Sequence, residues 1–256
     1  MPPRRSPDCE LTAMTFRMRA DRLLVDRGLF ESRAKAQAAI AAGLVTAESV
    51  VVRKPSDEIP VEAALEARPA HPYVSRGGVK LSVALDHFGF DPAGRVCLDV
   101  GASTGGFTEV LIGRNAKRVY AVDVGRGQLH ARLRDHPDIV SLEGTDIRTL
   151  DPARLPEPPD FVVIDVSFIS LILALSPALA LVRRPARVVA LIKPQFEAGR
   201  RHLKKGIVRD PAVQDAVCRR IAAHVEMLQW DVAGIIASPL PGGDGNREFL
   251  LGARRD

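Results

Sequence analysis

Cysteine is scarce in this chain: the three in 256 residues, Cys9, Cys97 and Cys218, are odd in number, widely spaced and in no CxxC pair. That pattern excludes a disulfide frame and a zinc site and suits the reduced thiols of a cytoplasmic protein, with no metal centre expected. The N-terminus carries Arg4 and Arg5 but no apolar core behind them, so no secretory signal is expected. Long hydrophobic runs are missing too. The nearest approach, Phe161 to Val182, is broken by Asp165, Ser167, Ser170, Ser176 and Pro177. A charge near the centre of a membrane span costs about 2.5–3.5 kcal/mol. The segment reads instead as a buried strand followed by a buried helix, and no membrane partner is expected. Charge of one sign is only mildly in excess: 36 Lys and Arg against 31 Asp and Glu give +5 and a pI near 9.4, which favours a polyanionic partner without requiring one.

What is present is enough chain for two unequal domains, with a hydrophobic content of 46% that supplies a sizeable core. Residues 1–16 lack periodicity and read as a flexible tail. From Arg17 onward, Leu23-Leu24-Val25 leads to a helix stop at Gly28, and Ser32 caps a second helix that runs to Ile40 and stops at Gly43. Short strands follow at Leu44–Thr46, Ser49–Val52 and Glu58–Val61, so 17–65 forms a small α+β module. Residues 66–74, with two prolines and no helical period, read as a linker.

Between Arg17 and Lys54 there are eight basic residues against four acidic ones, which a solvated helical face would also explain. The stretch R-A-D-R-L-L-V-D-R-G-L-F-E-S-R-A-K-A-Q-A-A-I-A-A-G-L-V resembles the S-four-type RNA-binding domain. The resemblance implies a helix pair that docks on phosphates and RNA shape, with Arg19, Arg22, Arg33 and Lys35 as contacts.

Beyond the linker, from 75 to 256, strands and helices alternate. Apolar runs at Arg95–Val100, Arg118–Asp123, Asp138–Leu142, Phe161–Asp165 and Arg187–Lys193 are separated by helical stretches at 106–114, 127–135, 171–182 and 210–228. Such runs between amphipathic helices imply a mostly parallel sheet covered on both faces, a Rossmann-like doubly wound α/β fold. Asp231–Ser238 and Arg247–Gly252 would bring the sheet to seven strands.

The first strand of this domain carries Asp99 and runs into Gly101-Ala102-Ser103-Thr104-Gly105-Gly106, with Phe107 opening a helix. A strand, glycine loop and helix at the first crossover is where open α/β sheets take nucleotide-like ligands. The G-x-x-x-G-G spacing does not meet the dinucleotide fingerprint, but it lets backbone approach an adenosyl group closely. Asp123 ends the second strand, where a carboxylate accepts from both ribose hydroxyls. Asp146, after the third, is placed for the adenine edge. Each alone is equally a strand-end cap; together with Asp99 they favour S-adenosyl-L-methionine over NAD.

Four charged residues border that pocket: Lys80, Asp165 at the end of the fourth strand, Lys193 at the end of the fifth and Glu248 at the start of the last. Charges at the ends of buried runs are costly unless they line a site. Methylating a ribose 2′-hydroxyl needs an alkoxide-like oxygen, which a lysine assists as a hydrogen-bonding ammonium or as a proton-accepting amine. Lys193 is assigned to the hydroxyl, Asp165 and Glu248 to orienting it, and Lys80 to tuning the field. The basic loop Arg200, Arg201, His202, Lys204, Lys205 and Arg209 is either solvated or a clamp on RNA phosphates.

The Lys–Asp–Lys–Glu set resembles that of the FtsJ-like ribose 2′-O-methyltransferases. The stretches V-S-R-G-G-V-K-L, C-L-D-V-G-A-S-T-G-G-F-T-E-V-L, D-V-G-R-G-Q-L, D-V-S-F-I-S-L, K-P-Q-F-E-A-G and S-P-L-P-G-G-D-G-N-R-E-F together resemble the TlyA family, over about 17 to 252. That resemblance implies a class I methyltransferase fold and methylation of a cytidine ribose in ribosomal RNA, on the large subunit and in some members the small one. The departures, at His71-Pro72-Tyr73 and at the C-terminus, lean the expectation toward the large subunit. The "hemolysin" label that members often carry has no span or pore element behind it here. Two rival functions remain: a base-modifying RNA methyltransferase, which would bring a catalytic Cys or an Asn/Asp-Pro-Pro-Tyr-like motif, and a non-enzymatic RNA-binding protein.

Overall fold

The computed structural model describes residues 16–242 and 245–256. The expected tail, apart from Phe16, and Cys9 lie outside the described residues. The chain divides into two compact units, Met1–Pro72 and Tyr73–Asp256.

In the first unit, helices α1 (Ala20–Asp26) and α2 (Arg33–Ala41) pack together and small strands flank them. Ala20, Ala36 and Ala39 are fully buried, so the helix backbones approach closely, while Leu24, Phe30 and Ile40 fill the space around them. Ser32 caps α2 by accepting from the Lys35 N–H. Gly43 ends it with φ of +71°, its N–H bonding the Ile40 carbonyl and the Leu44 N–H bonding the Ala39 carbonyl. Strand β1 (Arg17–Arg19) pairs with β4 (Glu58–Pro60), and β2 (Val45–Ala47) lies between β3 (Val50–Val51) and β5 (Leu65–Ala67). The last of these falls partly within the expected linker: residues 65–67 bond to β2, so the module runs on to Ala67.

The second unit is a seven-stranded sheet in the order β11-β12-β10-β9-β6-β7-β8. Its central strands are β6 (Val96–Val100), β9 (Phe161–Ile164) and β10 (Ala186–Ile192), all buried or nearly so along their length. Toward one edge lie β7 (Arg118–Asp123) and β8 (Ile139–Glu143), and toward the other β12 (Phe249–Arg255) and β11 (Asp231–Ala237). Only β12 runs against its neighbours. Alternate residues of β6 feed two cores, with Val96, Leu98 and Val100 on one face and Cys97 on the other. Helices α3 (Arg76–Phe88), α4 (Gly106–Gly113), α6 (Leu171–Ala180) and α8 (Pro211–Met227) cover the two faces.

The expected helix at 127–135 shrinks to α5, Ala131–Arg134. The Gly127, Gln128 and Leu129 N–H groups donate instead to the Glu143 carboxylate at 2.7, 2.7 and 2.9 Å, which holds those residues out of a helix. After β6 the chain winds to one edge through β7 and β8, then crosses to β9 on the other side of β6. The crevice at the carboxyl ends of β6 and β9 is therefore the topological switch point, where open α/β sheets bind ligands.

Candidate active site

The turn after β6 fixes one wall of that crevice. Gly101 has φ of +84°, and a Cβ there would sit 2.4 Å from the Asp165 carbonyl oxygen. Only glycine allows the β6 and β9 ends to come this close. Gly106 likewise faces Ser75, whose Oγ would lie 2.1 Å from an added Cβ. Asp123, at the end of β7, accepts from the Ser103 N–H at 2.8 Å and the Gly125 N–H at 2.7 Å. Each of its oxygens keeps a lone pair for a further donor. Asp146 lies in the same wall, but its carboxylate accepts from the Arg148 N–H at 2.9 Å and from the Arg148 guanidinium, which holds it below the usual carboxylate range.

Two adjoining cavities open here. One, of about 490 Å³, is lined by Asp123, Gln128, Asp146 and Ile147, and the other, of about 290 Å³, by Arg76, Lys80, Thr104, Phe107 and Lys193. Gly101, Ser103, Asp165 and Ser167 line both. Ala102 and Gly106 complete the wall of the smaller one. Gly105, with φ of +92°, turns the chain into α4.

The two lysines meet in the smaller cavity, each with its own carboxylate. Lys193 lies 2.6 Å from Asp165 and donates to the Ser167 hydroxyl at 2.8 Å. Lys80, buried in the second turn of α3, forms an ion pair with buried Glu248 at 2.5 Å. The expectation that Glu248 orients Lys193 is therefore corrected: it neutralises Lys80. Gly242 passes close to this pair: an added Cβ there would lie 2.0 Å from Glu248 Oε1.

A family model described as FtsJ-like methyltransferase matches residues 73–255. The 16S/23S rRNA (cytidine-2′-O)-methyltransferase TlyA of Mycobacterium tuberculosis is 43% identical over 94% of this chain and 91% of its own. The chain belongs to the TlyA family of FtsJ-like methyltransferases. A 23S rRNA (cytidine-2′-O)-methyltransferase TlyA from Campylobacter jejuni is 36% identical over 70% of this chain and 69% of its own. Among solved structures, a Streptococcus thermophilus protein provisionally named a hemolysin is similar with a TM-score of 0.74 and 39% identity, covering 94% of this chain and 89% of that one. Among the described residues no helix is long and apolar enough to cross a membrane.

The methyl donor of this TlyA-family chain is S-adenosyl-L-methionine, and the residues fit it. The two accepting oxygens of Asp123 in the larger cavity would suit a sugar with two free hydroxyls, and the carboxylate of Asp165, where the cavities join, would suit a cationic sulfonium. Sequence reasoning missed three features. Gln128 lines the larger cavity, and D-V-G-R-G-Q-L was its signal. Phe168, 88% exposed with φ of +68°, stands at the same cavity with its ring 5.2 Å from that of Phe196. Within an apolar run it reads as core. The third is Glu197, buried four residues after Lys193.

In the first unit the candidate RNA contacts fall into two sets. Arg19 and Arg33 both grip the fully buried Asp21, at 3.1 and 2.7 Å, and Gln37 adds a bond at 2.8 Å. Arg19 first, then Arg33 and Gln37, hold that carboxyl far below its usual range against the opposing effect of burial. Arg22 pairs with Asp26 at 3.7 Å, and Lys35 with Glu31. In the second unit Arg200, Arg201, Lys204 and Lys205 are exposed.

Asp99 is fully buried on β6 beneath the glycine turn. Thr108 donates to one oxygen at 2.6 Å, while the other has no partner among the described residues. Burial first, then the charge of Asp165, pushes its carboxyl up to about 7 despite the Thr108 bond. Between the unfolded value of about 4 and this folded value the unfolded chain has lost a proton that the folded chain keeps, so stability falls as pH rises through that window. Asp99→Asn removes this titration. Denaturant unfolding should show the variant gaining on the wild type from about pH 4 to pH 7 and the gain then levelling off; a stability difference independent of pH would contradict the assignment.

Proposed function

We propose that this chain methylates the 2′-hydroxyl of a cytidine in ribosomal RNA of the large subunit, in the cytoplasm. The curated relatives named above both act on 23S rRNA by their names, and the observation that carries the chemistry is the valence of Lys193. An ammonium has three N–H donors. One faces Asp165 and one bonds Ser167, which leaves the third for an oxygen in the cavity between them. When bound, S-adenosylmethionine supplies an electrophilic methyl on a sulfonium. Lys193 holds the attacking 2′-oxygen and meets the charge that grows on it as its proton passes to solvent, while Asp165 fixes the direction of the ammonium. Glu248 neutralises Lys80, so a second cation borders the cavity without repelling Lys193 at full strength. Phe168 offers an exposed ring face at the cavity mouth for the target base.

The first unit is proposed to be an S-four-type RNA anchor. Two half-exposed guanidiniums held on one buried carboxylate keep a net positive charge and are already fixed before RNA arrives. Residues 68–72 then serve as the connection, and the loop 200–209 as a second phosphate contact.

Methyl transfer from labelled donor to ribosomal subunits tests the reaction. Label should survive as an alkali-resistant ribose linkage, and Lys193→Ala should abolish transfer while leaving donor binding within about twofold of wild type. Label on a base would support a base-modifying enzyme instead, and no label a non-enzymatic one.

For the anchor, Asp21→Asn removes a negative charge yet is expected to weaken RNA binding and flatten its salt dependence by about one unit of slope, because the guanidiniums lose their fixture. Tighter binding, as charge alone would give, would refute the anchor.

A further inference from the structure

Lys193 and Asp165 stand on different loops, one after β10 and one after β9, so their contact persists only if those loops keep a fixed relation. A second tie joins the same two loops. Glu197 ends the short helix α7 (Pro194–Glu197), about one helical turn beyond Lys193. Its carboxylate is buried, with 1% of the side chain exposed. One oxygen accepts from the Leu171 N–H at 2.5 Å and the other from the Ser170 hydroxyl at 2.9 Å. Ser170 and Leu171 close the loop that Asp165 opens. Arg220 of α8 then donates to the same carboxylate at 2.8 Å and to the Glu197 carbonyl at 2.9 Å, anchoring the clasp to the body of the domain.

Helix capping does not account for this arrangement. The Ser170 Oγ already accepts from the Ile172 N–H at 3.3 Å, so α6 has a cap of its own. A buried carboxylate is costly unless it is hydrogen-bonded, and here three donors from two separate segments bond it. Glu197 lines neither of the two cavities described above.

We propose that Glu197 is a positioning residue for methyl transfer: it clasps the loop of Lys193 to the loop of Asp165 and Ser167 and so fixes the pair that meets the ribose hydroxyl. The proposal rests on the ribose reading of the site. Its consequence is a loss larger in the transfer step than in donor affinity, because Gly101, Asp123 and Gln128 of the donor cavity lie outside the clasped loops, while Asp165 and Ser167, which line both cavities, lie within them.

The test is single-turnover methyl transfer to ribosomal subunits from the preformed donor complex, with donor affinity measured separately by calorimetry. Glu197→Gln keeps the shape but puts an amide where one oxygen accepted, so one tie is lost. A displacement of the pair by about 1 Å should slow transfer by roughly 10- to 100-fold, with donor affinity within about twofold of wild type. Ser170→Ala removes the bond to Glu197 together with the α6 cap on the Ile172 N–H, at a half-buried position, and should slow transfer by roughly threefold. The double variant should lose less than the product of the two single losses. Transfer at the wild-type rate in Glu197→Gln, or in Ser170→Ala should the first variant fail to fold, would overturn the positioning role, as would a loss seen only in donor affinity. A wild-type protein that leaves no methyl on ribose would instead overturn the underlying reaction, so the two failures are distinct.

Discussion

The contact between Lys193 and Asp165 is the constraint on which the rest of the site depends. The two residues come from strands that are neighbours in the sheet yet separated by a helix in sequence. Their side chains meet because β9 and β10 are parallel and in register, which brings both carboxyl ends to one level. The crossover at β6 and β9 opens the crevice beside them, and Gly101 lets the two strand ends close on each other without a side chain between. Fold, turn chemistry and charge placement thus converge on one oxygen-sized position.

Two lysines at one cavity pose an electrostatic problem. Like charges repel, and burying either ammonium alone would be expensive. Each lysine has its own carboxylate, with Glu248 behind Lys80 and Asp165 beside Lys193. The two pairs differ in how much is left to do chemistry. Lys80 and Glu248 are both buried, and Gly242 packs against the carboxylate of that pair. Lys193 lines the cavity and has a third N–H beyond those that face Asp165 and Ser167. The same economy governs the first unit, where one buried carboxylate organises two arginines.

The sheet was legible because its central strands are buried on both faces and read as unbroken apolar runs bounded by glycine and charge. The glycine turn and the charges at the ends of β9 and β10 were legible as cavity residues because a charge closing such a run has few structural uses. What escaped the sequence depends on partners distant in the chain. The helix expected at 127–135 is shortened by the Glu143 carboxylate, and nothing in D-V-G-R-G-Q-L announces that acceptor. The partner of Glu248 is set by how β12 lies against β10, and spacing alone did not separate Lys80 from Lys193. Phe168 was hidden by its apolar neighbours, and the strand at 65–67 by the prolines that follow it.

The most direct test of this account is a double-mutant cycle on the rate of methyl transfer with Lys193→Met, Asp165→Asn and the two combined. If the pair acts as one unit, either single change removes what the unit provides, and the double variant is no slower than the slower single one. Losses that multiply would show that Lys193 and Asp165 act independently and would contradict the account.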